Sequence, residues 1–101
     1  MINNLIATDH VLQARGLMHD VVSILDETLI VSEVSISRSI LWTIYNSHTG
    51  DQFRVIFDPQ NLHMARHGLH VKMELDEYDL VNAIEDAADG GFDTIYLHLN
   101  L

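Results

Sequence analysis

Between Asp9 and Leu29 the apolar residues Val11, Ala14, Leu17, Met18, Val21, Val22, Leu25 and Leu29 recur three and four positions apart. That spacing puts them on one face of an α-helix. Gln13, Gly16, Asp20, Ser23 and Glu27 fall opposite. Thr8 is placed to cap the helix, with Asp9 favourable in its first turn. From Val31 to Asn46 the period drops to two. Val34, Ile36, Ile40, Trp42 and Ile44 share one parity, and Ser35, Ser37, Ser39 and Thr43 the other. Arg38 interrupts the apolar series, so the stretch reads as one long bent strand or as two.

"NSHTGD" then reads as a hairpin turn and "QFRVIF" as a strand with Phe53, Val55 and Phe57 on one side. "DPQNLHMARHG" carries short-helix signals: Asp58 to cap, Pro59 at the first position, Gly68 just past the end. "LHVKMEL" alternates, with Leu69, Val71, Met73 and Leu75 against His70, Lys72 and Glu74. Asp76 is placed to cap a second long helix, whose stripe is Leu80, Val81, Ile84, Ala87 and Ala88 and whose stop is Gly90–Gly91. The chain closes on an alternating strand, "FDTIYLHLNL". Residues 2–6 suggest a short leading strand.

Each strand has one apolar and one polar face, which suits helices packed on one side of a sheet. The expectation is a single α+β domain over residues 1–101: a mostly antiparallel sheet of about four strands with two long helices on one face, in the order α-β-β-(short α)-β-α-β. The 48% hydrophobic content fits a folded domain and excludes a disordered tail.

Charge changes the picture more than length does. Fifteen acids face five bases, a net charge of −10 with neutral histidines. Nucleic acid and anionic membranes repel such a surface; a basic protein is attracted to it. The chain contains no cysteine, so disulfides, thiolate metal sites and cysteine nucleophiles are excluded. The N-terminus lacks a signal-peptide pattern and no window has the length of a membrane span, so a cytoplasmic location is expected.

Eight of the fifteen acids lie in residues 74–93, which hold no base. On the second helix Asp79, Asn82, Asp86 and Asp89 follow the spacing 3, 4, 3 and form a stripe opposite the apolar one; Glu85 widens it. Successive like charges repel by a few tenths of a kcal/mol per pair, about what an oppositely charged partner would relieve. Asp79, Asn82, Glu85, Asp86 and Asp89 are therefore the candidate contacts for a basic protein such as a nuclease or a nucleic-acid-binding protein. The chain would act as an inhibitor or immunity protein, or as a nucleic-acid mimic. An ordinary solvated helix face is the competing explanation.

"HMARH" supplies histidines at i and i+4, but Met64 stands where a zinc peptidase has its catalytic glutamate. His63 and His67, with His70 beyond the turn, remain an alternative metal-binding or pH-sensing group; three solvated histidines explain the pattern as simply. Full protonation of the seven histidines moves the net charge from −10 to −3, much of it between about pH 5 and 8. No nucleophile elbow, phosphate loop or cofactor motif occurs, and a polar cluster of Arg15, His19 and Asp26 is the weak catalytic candidate. The reading is a non-enzymatic, cofactor-free interaction domain. It would not bind nucleic acid or membrane directly, and its strand edges would suit a homodimer. A small oligomeric structural domain is the further alternative.

Overall fold

The computed structural model describes residues 8–26 and 28–101; the leading strand expected at residues 2–6, the side chain of Thr8 and Glu27 lie outside them. Helix α1 (Thr8–Leu25) buries Ala14, Met18 and Val21, as its spacing requires. It stops at Leu25 rather than Leu29. The Asp26 carboxylate accepts hydrogen bonds from the Thr28 backbone N–H at 2.9 Å and the Thr28 hydroxyl at 2.8 Å, and this local turn competes with another helical turn.

The alternating stretch is two strands, β1 (Ile30–Ile36) and β2 (Ser39–Tyr45). Ser37 and Arg38 form the turn between them, Arg38 with a left-handed φ of 66°. The antiparallel register pairs Val34 with Leu41 and Ser35 with Ile40. A two-residue turn thus swaps parity between its strands. Val34 and Ile36 do not share a face with Ile40, Trp42 and Ile44, contrary to the sequence pattern, and point away from the core.

Asn46 accepts the Gly50 N–H and donates to the Asp51 carbonyl, closing the expected hairpin into β3 (Gln52–Asp58). The expected short helix after it does not form: residues 59–68 are successive turns. The Asp58 carboxylate accepts from the backbone N–H groups of Leu62 at 2.9 Å and His63 at 2.8 Å, four and five residues on, too far along for a helix cap. Asn61 takes a left-handed φ of 54°, which ends any helical run.

Strand β4 (Leu69–Lys72), helix α2 (Glu77–Asp89) and strand β5 (Thr94–His98) complete the fold. Asp76 caps α2 as expected, its Oδ1 accepting the Asp79 N–H at 2.7 Å. Gly90 and Gly91 end it, Gly91 at a φ of 84°.

The architecture is α+β, with five strands instead of about four, in the order β1-β2-β3-β5-β4. The β1–β2 and β2–β3 pairs are antiparallel, but β3–β5 and β4–β5 are parallel. The parallel half follows from connection: β4, α2 and β5 make a crossover that returns the chain in the same direction. β5 enters between β3 and β4, so the C-terminal strand is central and all five of its residues are buried. The sheet edges are β1 and β4.

One face of the sheet supplies Ile40, Trp42, Ile44, Val55, Phe57, Ile95 and Leu97 to a core shared with Ala14, Met18 and Val21 of α1 and Leu80, Val81 and Ile84 of α2. The segment 59–68 runs over the opposite face, where His63 meets Ser39 and Tyr96. Gly68 permits this passage: a Cβ there would stand 2.7 Å from the Tyr96 ring. No helix among the described residues is long and apolar enough to cross a membrane.

Candidate functional site

Two polar features and one apolar one stand out. The first lies beneath segment 59–68. Asp58 and His98 end the paired strands β3 and β5, opposite each other in register, and both are fully buried. His98 Nδ1 is 3.3 Å from Asp58 Oδ2 and 3.4 Å from the Asp58 carbonyl. His98 Nε2 is 2.7 Å from His70 Nδ1 on β4, and His70 Nε2 is 2.9 Å from the Arg66 carbonyl.

This is a chain of contacts from carboxylate to carbonyl through two imidazoles. Both end nitrogens face oxygen acceptors, so each must donate. The inner contact needs one hydrogen between two nitrogens. With both end nitrogens donating, that hydrogen makes one of the two rings an imidazolium, and at His98 burial disfavours the charged form. Burial pushes His98 below the ordinary histidine value, against the opposing pull of Asp58, and the His70 and His63 rings add to the lowering. The rings also stack: Tyr96 lies 4.8 Å from His70 and 5.8 Å from His63, centroid to centroid.

The three candidate ligands therefore do not converge. His63 is half-buried, with Nε2 3.1 Å from Ser39 Oγ. His67 is exposed and packs on Phe92, 4.9 Å between centroids. His70 joins His98. Among the described residues no group of three or more histidine, cysteine, aspartate or glutamate side chains is arranged to hold a metal ion. Leu62 is 51% exposed while His63 is half-buried; without the expected helix no regular face orients them. Ser39 and His63 are in hydrogen-bonding reach, but Ser39 is only 2% exposed and is closed to a substrate.

The catalytic candidate built on α1 is also dispersed. Arg15 makes a two-point contact with Glu33 on β1, at 2.7 and 2.9 Å, while Asp26 turns to Thr28 and His19 lies 3.9 Å from Asp20. The Arg15 guanidinium, with the Trp42 indole N–H, holds the Glu33 carboxyl below the usual carboxylate range against desolvation.

The second polar feature is the outer face of α2. Asp79, Asn82, Glu85, Asp86 and Asp89 are all exposed, and among the described residues none of the four carboxylates is in an ion pair. Lys72 is engaged with Glu74 at 3.5 Å and Arg54 with Asp93 at 3.8 Å. The last turn of α2 has no basic residue. Asp86 and Asp89 stand where the helix dipole is already negative, a placement unfavourable by about 0.3–1 kcal/mol per charge.

The apolar feature is the other edge of the sheet. Every residue of β1 is exposed. Ile30, Val34 and Ile36, between 46% and 54% exposed, lie on the face away from the helices beside their partners Tyr45, Leu41 and Ser39, of which Ser39 is covered by His63.

Sequence inspection did not reveal the Asp58–His98–His70 chain. Its only signal was that all three residues fall on the polar parity of their strands, and strand order alone makes them neighbours. Comparison with known proteins finds no matching family model, no matching curated protein and no matching solved structure.

Proposed function

We propose that this chain is a non-enzymatic protein-binding domain that docks a basic protein, such as a nuclease or a nucleic-acid-binding protein, in the manner of an inhibitor or immunity protein. The observation that carries the reading is the outer face of α2: four carboxylates and Asn82, all exposed, with no cation of the described chain paired to them. A complementary partner would relieve the repulsion along the stripe and gain association rate from the long-range field. A cytoplasmic setting belongs to the same proposal, and the cysteine-free composition is compatible with a reducing compartment.

The test is affinity capture from the source cell at low and high salt, comparing the native chain with a variant carrying Asp79→Lys, Asp86→Lys and Asp89→Lys. Loss of a basic partner from the variant, and from the native chain at high salt, supports the proposal. Equal capture of the same partner by both chains rejects it.

A second, compatible reading is a homodimer through β1, favoured by a fully exposed edge strand with apolar side chains on its open face. Its only charged side chain, Glu33, is drawn inward by Arg15, so two copies of this edge would meet without local repulsion, in contrast to their acidic halves. The expected result is a concentration-dependent mass that Val34→Lys with Ile36→Lys reduces to the monomer. A monomer at every concentration sinks it.

A further inference from the structure

A cleft of about 680 Å³ opens beside the C-terminal ends of both helices. Its floor is apolar: Leu25 from the end of α1, Leu29 from the turn after it, Ile44 and Phe53 from the sheet, Ile84 from α2, and Phe92. Leu25, Leu29, Phe53 and Phe92 are only partly buried, so apolar surface here is left for something else to cover. The volume is in the range of sites that enclose one or two large side chains.

The mouth of this cleft has the opposite chemistry. Asp51 and Asp93 stand at its rim. Neither α1 nor α2 has a basic residue in its last turn, so the negative ends of two helix dipoles are uncompensated beside it. Asp89 adds a carboxylate next to Ala88, which lines the cleft. Glu85 lies one helical turn before Ala88, so the acidic stripe runs up to the opening. Arg54 is engaged with Asp93, and His67, packed on Phe92, closes one side.

We infer that the cleft receives an apolar side chain of the partner protein flanked by lysine or arginine: the floor takes the apolar anchor and the rim takes the cations. This rests on the reading above that the partner is basic, and gives that partner a specific chemistry. A purely basic surface would leave the floor uncovered, and a neutral apolar ligand would leave Asp51, Asp89 and the helix ends without counter-charge. A buried anchor ringed by complementary charge is how a small interface concentrates its affinity.

The test uses three probes: two short oligolysine peptides that differ in one central residue, tryptophan or glycine, and neutral N-acetyltryptophanamide. Binding is followed by calorimetry and by amide chemical shifts of the intact chain. The tryptophan peptide is expected to bind about tenfold or more tighter than the glycine peptide, with shifts centred on Ile44, Phe53, Ile84 and Phe92. Ala88→Trp, which places a large side chain at the mouth from an exposed position, is expected to remove that difference and leave the weak binding of the glycine peptide intact. Asp51→Asn with Asp93→Asn should weaken the tryptophan peptide several-fold.

Equal affinity of the two peptides, with shifts confined to the outer face of α2, overturns the anchor site while leaving basic docking in place. Binding of the neutral amide as tight as that of the tryptophan peptide overturns the requirement for cations. Absence of binding by either peptide overturns both this inference and the docking reading.

Discussion

At the scale of single residues the most consequential position is His98, an imidazole with no accessible surface between Asp58 and His70. Its proton affinity is lowered chiefly by burial. A base of this kind contributes fully to stability only above its unfolded value of about 6.5. As pH falls from there through the lowered folded value, the unfolded chain takes up a proton that the folded chain refuses, and stability is lost. Thermal melts should therefore show a decline as pH falls below about 6.5 that is flatter in His98→Gln; parallel profiles would show that His98 is not responsible. Arg38 is a second residue-scale case. Its φ of 66° costs a side-chain-bearing residue about 1–2 kcal/mol, so Arg38→Gly should raise the denaturation midpoint despite glycine's greater unfolded entropy. At Gly68 the opposite holds. Any Cβ meets the Tyr96 ring and the Thr94 carbonyl, and Gly68→Ala should destabilise by about 1–3 kcal/mol, read from chemical denaturation.

At the scale of elements, the start of segment 59–68 is held by one buried carboxylate. Asp58 is fully buried, accepts two backbone N–H groups and faces His98. Asp58→Ala leaves both N–H groups without their acceptor and takes the carboxylate from His98, which keeps only the backbone carbonyl, and should cost about 3 kcal/mol or more, with amide exchange rising first at Leu62 and His63. Helix α2 shows the reverse economy. Its C-terminal turn holds acids where bases would stabilise it, so Asp89→Lys should stabilise the fold by about 0.3–1 kcal/mol while weakening capture of a basic partner. A gain in both would separate the acidic turn from binding.

At the scale of the whole molecule, charge governs. The chain carries −10 with neutral histidines and −3 with all seven protonated. Association with a basic partner is expected to weaken with salt and with acidification from about pH 8 to about pH 5, mainly through the association rate. Stopped-flow rates insensitive to both would remove long-range attraction from the account. The two proposed surfaces divide the molecule. The edge strand β1 carries one charged side chain, already paired, whereas the outer face of α2 holds carboxylates that pair with no cation among the described residues.

The sequence by itself determined what is local. Periods of three to four and of two located both long helices and the strands, because each reports which side of one element meets the core. Asp76 and Gly90–Gly91 marked the ends of α2 through hydrogen bonds within a few residues. The acidic stripe was legible for the same reason, since helical geometry alone brings Asp79, Asn82, Glu85, Asp86 and Asp89 to one side. What the tertiary structure decided depends on which elements became neighbours. Alternation is the same in parallel and antiparallel strands, so the parallel half of the sheet and the central place of β5 left no mark in the pattern. The turn at Arg38 exchanged the faces of Val34 and Ile40, and the Asp58 carboxylate drew residues 59–68 over the sheet in place of a helix. The histidines that open the question, His63, His67 and His70, went to three different neighbours, because the partner that mattered, His98, lies twenty-eight residues beyond His70 and only strand order brings it near.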